Sequence, residues 1–69
     1  MNENKQAICD ALAETLKLTR NYGDIIIRIE YKPNKECALV YLKGYGSIPV
    51  NVACDSGTAL IRDIMRRLP

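Results

Sequence analysis

Sixty-nine residues make one small domain, close to the lower size at which a single apolar core holds without staples. Apolar residues supply 48% of the chain with no Phe or Trp, and the net charge is only +2, short of the basic bias of strong nucleic-acid binders. Three cysteines, Cys9, Cys37 and Cys54, stand far apart and histidine is absent, which argues against a zinc site and a disulfide framework.

The polar N-terminus MNENKQAICDALAET lacks a signal-peptide core, and no apolar run approaches a membrane span. Free thiols held as small hydrophobes suit a reducing compartment, so the expectation is a cytoplasmic protein with no membrane, metal or cofactor partner. A core without large aromatic anchors gains from added buried area, which favours a homodimer.

From Lys5 to Leu18, Ile8, Ala11, Leu12, Thr15 and Leu16 recur at helical spacing, with Asn2 or Asn4 to cap the start and Asn21 or Gly23 to end it in a left-handed conformation. Asp24 to Tyr31, DIIIRIEY, alternates and is crowded with β-branched residues, the pattern of a strand. Lys32-Pro33-Asn34-Lys35 suits a turn, Pro fixing φ at its first central position. A second strand, ECALVYLK, covers Glu36 to Lys43 and completes a hairpin.

Gly44-Tyr45-Gly46-Ser47 forms the next turn, and IPVNVAC from Ile48 to Cys54 the third strand. Pro49 cannot donate to a ladder, which places that strand at a sheet edge, with Val50, Val52 and Cys54 on its inner face. From Ser56 to Leu68, the residues Leu60, Ile61, Ile64, Met65 and Leu68 form one apolar stripe of a closing helix. Arg66 and Arg67 complement its dipole. The fold class is therefore α+β, a two-layer α-β-β-β-α domain over residues 1–69, with both helices on one face of a three-stranded antiparallel sheet.

Strand two is apolar on both faces: Cys37, Leu39 and Tyr41 point one way and Ala38, Val40 and Leu42 the other. Only one set meets the helices. The other, joined by Ile26, is an apolar strip on the open face and hence a candidate dimer or partner surface; the plainer reading covers it with Lys and Arg stems. Ile26, Leu39, Val40, Tyr41, Leu42 and the loop residue Tyr45 are the candidate interface, exposed aromatics on turns being common hot spots.

The tetrapeptide Asp55-Ser56-Gly57-Thr58 after an apolar strand matches the D-[ST]-G-[ST] signature of aspartic proteases. Such an enzyme needs a second aspartate, a flap and further strands, whereas here a helical pattern follows at once. Asp55 or Ser56 as the helix cap explains the same residues, leaving a hydrolase using Asp55 as a remote alternative. Cys54 lacks the arginine six residues on that a phosphatase loop requires, since position 60 is Leu60, and Gly44-Tyr45-Gly46 has no helix after it. The reading is non-enzymatic.

The α-β-β-β-α order resembles the double-stranded-RNA-binding domain over the whole chain. That family carries a Lys-Lys-x-Ala-Lys cluster at the start of its last helix, where this sequence has Gly57, Thr58, Ala59, Leu60 and Ile61 and keeps only the alanine. Its basic residues sit late instead, and Lys17, Arg20, Arg62, Arg66 and Arg67 make one patch if the two helix ends converge, the alternative reading being a nucleic-acid contact. The segment Ile48 to Ile64, IPVNVACDSGTALIRDI, is similar to small uncharacterised proteins of phages and mobile elements of gut bacteria. That resemblance implies stoichiometric binding to a host defence protein, as anti-CRISPR proteins do, or sequestration of a ligand.

Overall fold

The computed structural model describes residues 4–69. Its elements run α1 (Lys5–Leu16), β1 (Ile26–Lys32), β2 (Cys37–Leu42), β3 (Gly46–Asn51) and α2 (Gly57–Arg67). The strands form one antiparallel sheet in the order β1-β2-β3, and both helices pack on the same face of it.

Asn4 starts α1, its side chain accepting the Ala7 N–H at 2.9 Å, while Asn2 lies outside the described residues. The far end departs from the left-handed stop that the sequence suggested. Lys17 closes the helix in right-handed conformation at φ −62°, and hydrogen-bonded turns continue to Ile26. Gly23 matters there for space: a Cβ would lie 2.6 Å from the Thr19 carbonyl oxygen and 2.9 Å from that of Lys17. The buried face of α1 is also rotated from the expected stripe. Cys9, Ala13 and Leu16 are buried, Ile8 and Leu12 flank them, and Ala11 and Thr15 face solvent. Cys9 and Ala13 are small, and α1 lies against β1 with this face buried.

The β1–β2 turn is the expected Pro33-Asn34 turn, closed by Lys35 N–H to Lys32 C=O at 3.2 Å and followed by Glu36 at φ +47°. β1 itself is irregular. Ile26 pairs with Leu42 and Arg28 with Tyr41, so Ile27 is the extra residue of a β-bulge. Strict alternation would put Ile26 and Ile29 on opposite faces; the bulge resets the phase and both are buried. Ile26, Val40 and Leu42, expected among the candidates for the open face, therefore lie in the core at 6%, 0% and 1% exposure, beneath the helices. The open face belongs to Cys37, Leu39 and Tyr41.

Both sheet edges are blunted. On β1, the Gln6 carboxamide of α1 acts as a short strand: its Oε1 accepts the Tyr31 N–H at 2.7 Å and its Nε2 donates to the Ile29 C=O at 3.2 Å. On β3, Pro49 stands opposite Leu39. The Val52 N–H reaches the Glu36 C=O at 3.0 Å, so by alternation Pro49 turns its nitrogen to the free edge, where no ladder donor is missing.

Beyond β3 the chain leaves the expected strand early. Val52 is fully buried, but Cys54 adopts φ +62° and is exposed, so it does not share the inner face with Val50 and Val52. Ser56 is the cap of α2, its hydroxyl accepting the Ala59 N–H at 3.2 Å. The apolar stripe of α2 divides: Leu60 and Ile64 are fully buried with Leu68 packed beside them, while Ile61 and Met65 are 38% and 42% exposed.

Candidate functional site

On the open sheet face, charged residues of β1 cover much of what β2 exposes. The Arg28 guanidinium lies 4.2 Å from the centre of the Tyr41 ring. The Tyr41 hydroxyl donates to Glu30 at 3.2 Å, and Lys32 reaches the same carboxylate at 3.3 Å. The Lys32 hydrogen bond, aided by Tyr41 and by the nearby Arg28 charge, holds the Glu30 carboxyl below the ordinary range. Leu39 and Tyr41 are half-buried in this arrangement. The plainer reading of the open face, apolar residues roofed by cationic stems, describes most of it.

The larger apolar exposures lie at one end of the fold. Tyr45, on the β2–β3 turn, is 60% exposed between two glycines of positive φ, and its N–H closes the turn on the Leu42 C=O at 3.1 Å. Leu42 pairs with Ile26, which brings the turn beside the bulge residue Ile27, itself 51% exposed. The segment from α1 enters β1 at this end and carries Leu18 at 88% exposure. Ile27 and Leu18 were not among the expected interface residues, because the bulge and the early end of α1 arise from pairing and packing.

Of the basic residues, the ends of the two helices do converge. The Tyr22 hydroxyl donates to the Pro69 C=O at 2.8 Å, tying the segment after α1, which carries Arg20, to the segment after Arg66 and Arg67. Lys17 is occupied by Glu14 at 3.0 Å, and Arg62 leans towards Asp63 at 3.6 Å. Among the described residues Arg20, Arg66 and Arg67 make no ion pair. Arg66 and Arg67 line, with Val50, Asn51 and Asp63, an open cavity of about 200 Å³ between β3 and α2.

The D-S-G-T tetrapeptide spans the entry to α2. Asp55 is half-buried, and its Oδ2 is shut off from solvent without a hydrogen-bond donor. The carboxyl it meets is Asp63, one helical segment on. A carboxylate that faces another one is disfavoured in its charged form. The Asp55 carboxyl is accordingly raised above the ordinary range, by hydrogen bonding with Asp63 first, then by burial and by the Asp63 charge, against Arg62 and Lys5.

Cys9 is the other perturbed group: burial, with Asp10 adding to it, pushes its thiol up to about 11. Among the described residues no group of three or more acidic, Cys or His side chains is placed to hold a metal ion. No helix there is long and apolar enough to cross a membrane.

Comparison with known families, curated proteins and solved structures finds no match to this chain. The site is therefore read from its own chemistry, which offers an apolar end, an arginine pair over a cavity with no ion-pair partner among the described residues, and a half-buried Asp55 at the start of α2.

Proposed function

We propose that this is a small non-catalytic binding protein that acts by stoichiometric contact with a protein partner, a second copy of itself or a host defence protein. The contact surface is the end bearing Tyr45, Ile27 and Leu18, with Leu39 and Tyr41 at its border. One observation carries the reading: Tyr45, Ile27 and Leu18, three large apolar side chains, stand 60%, 51% and 88% exposed although the chain has a core to hide them in. Covering a side chain of this size is worth roughly 1.5–3 kcal/mol, so a partner gains where the monomer does not.

Both sheet edges are blunted, by Gln6 and by Pro49, so contact through this end suits the fold better than strand addition. A photo-crosslinking residue at position 45, with position 35 on the opposite hairpin turn as control, tests this. Discrete crosslinked species from position 45 and none from 35 are expected, with tandem copies of the protein if the partner is itself. A strictly monomeric protein crosslinking equally from both positions would remove the reading.

A second reading, contact with nucleic acid, is favoured by the Tyr22–Pro69 bond, which draws Arg20 towards Arg66 and Arg67. Its mark is binding to RNA or DNA that weakens steeply with salt, by a log–log slope of about −0.7 per phosphate contacted on a single strand. Absence of retention on either at low salt removes it.

A further inference from the structure

We infer that the cavity between β3 and α2 is a phosphate-binding site, in which Arg66 and Arg67, beside Asn51, hold the phosphate oxygens. The cavity is lined by these three, by Asp63 and by Val50, which is 2% exposed and so forms a dry floor. Two neighbouring arginines with no carboxylate partner among the described residues leave their fork-shaped donors unspent at its rim.

Asn51 borders the cavity at the end of β3, where its Oδ1 accepts the Ala53 N–H at 2.9 Å and so holds the turn that leaves the strand.

Asp63 is the one opposing group, and its surroundings blunt it. Arg62 sits 3.6 Å away, a cation that offsets its charge. The volume sets the ligand's scale. At about 200 Å³ the cavity is smaller than the roughly 300–1,000 Å³ of sites that enclose a drug-sized molecule. It takes a phosphate group and leaves the carrier outside.

That carrier is a small phosphorylated molecule or the backbone of a single-stranded nucleic acid. The cavity shares no residue with the apolar contact end, and its occupancy by phosphate does not depend on the nucleic-acid reading.

The test is an NMR titration of ¹⁵N-labelled full-length protein, following the Asn51 side-chain amide and the arginine Nε–H signals. The probes are inorganic phosphate, adenosine monophosphate and a short oligothymidylate, with sodium chloride at matched ionic strength as the blank. Saturable shifts centred on Asn51, Arg66 and Arg67 are expected. Arg66→Gln with Arg67→Gln should weaken binding by about tenfold or more, since a single charge-assisted hydrogen bond to phosphate is worth at least that. Asp63→Asn should tighten it, which a merely structural role for Asp63 would not do. Lys35→Gln should change nothing.

Saturation by the oligonucleotide alone assigns the site to a nucleic-acid phosphodiester. Saturation by phosphate or the mononucleotide assigns it to a small ligand, and in that case the nucleic-acid reading fails while the site stands. Shifts that rise linearly for every probe, match the chloride blank, or survive in the double arginine variant overturn the inference.

Discussion

Gln6 is twenty-five residues from Tyr31 in sequence, yet its side chain closes the outer edge of β1, and Gln6→Ala isolates that role. The substitution deletes two part-buried hydrogen bonds, from the Tyr31 N–H at 2.7 Å and to the Ile29 C=O at 3.2 Å. It also deletes an exposed bond to Asp10 at 2.7 Å, which contributes little. Each backbone bond is worth about 0.5–1.5 kcal/mol net, giving a loss of about 1–3 kcal/mol. Alanine is the better helix former by a few tenths of a kcal/mol, a small offset. For a domain of this size each kcal/mol moves the Tm by about 4–8 °C, so a fall of several degrees at least is expected.

Urea unfolding followed by far-UV circular dichroism gives the free energy, with the slope against urea unchanged if the native surface is intact. Gln6→Glu keeps the acceptor for Tyr31, loses the donor for Ile29 and sets a second negative charge four residues before Asp10, so it too should be less stable than the parent. The opened edge should make Gln6→Ala associate at lower concentration than the parent. A Gln6→Ala protein within about 0.5 kcal/mol of the parent would refute the claim that this carboxamide holds the strand.

Three further outcomes follow from the same geometry. With a thiol reagent under native conditions, Cys54 should react quickly, half-buried Cys37 slowly, and Cys9, buried with its thiol pushed up to about 11, only on unfolding; a fast third thiol would contradict the packing of α1. Gly23→Ala, which drives a methyl into the Thr19 and Lys17 carbonyls, should cost about 1–3 kcal/mol in thermal melts, whereas Gly44→Asn, with open space around it, should cost only the backbone strain of its φ of +86°, which Asn bears better than most residues. Asp55 carries the pH dependence. Its folded pKa is raised, so the neutral form is the one folding favours, and that contribution is full below the unfolded value and lost as pH rises through the folded one. Asp55→Asn should therefore gain stability relative to the parent between about pH 4 and 7 and lose that advantage in acid. A difference that does not change with pH would show that folding does not raise the Asp55 carboxyl.

The order of elements was legible in the sequence because each local signal agreed with the fold: Asn4 and Ser56 as caps, Pro33 at a turn, Pro49 at an edge. Strand two, apolar on both sides, could not say which set met the helices, since that depends on the phase of its neighbour. That phase turns on Ile27, where pairing inserts an extra residue that no alternation rule anticipates. The stripe of α1 was misplaced for a different reason. Cys9 and Ala13 are small and weigh little in a hydrophobic pattern, yet they are the residues that the packing of α1 on the sheet buries. The Gln6 clasp and the cavity joining Asn51 to Arg66 and Arg67 are assembled from distant segments, and only tertiary contact brings them together. The convergence of basic residues was conditional on where the helices end, and Tyr22 meeting Pro69 supplies the condition.

The bulge at Ile27 frees one position from the rule that governs its neighbours. In a regular strand a residue's identity is tied to its face, and changing it disturbs either the core or the open side. Ile27 answers to neither, since Ile26 and Ile29 keep the interior and Arg28 keeps Tyr41 covered. Position 27 can thus drift to a charged, aromatic or small side chain without rewriting the register with β2. The molecule has, at the very end where its apolar groups meet water, a side chain whose choice is decoupled from folding, and there recognition can diversify while the architecture stays the same.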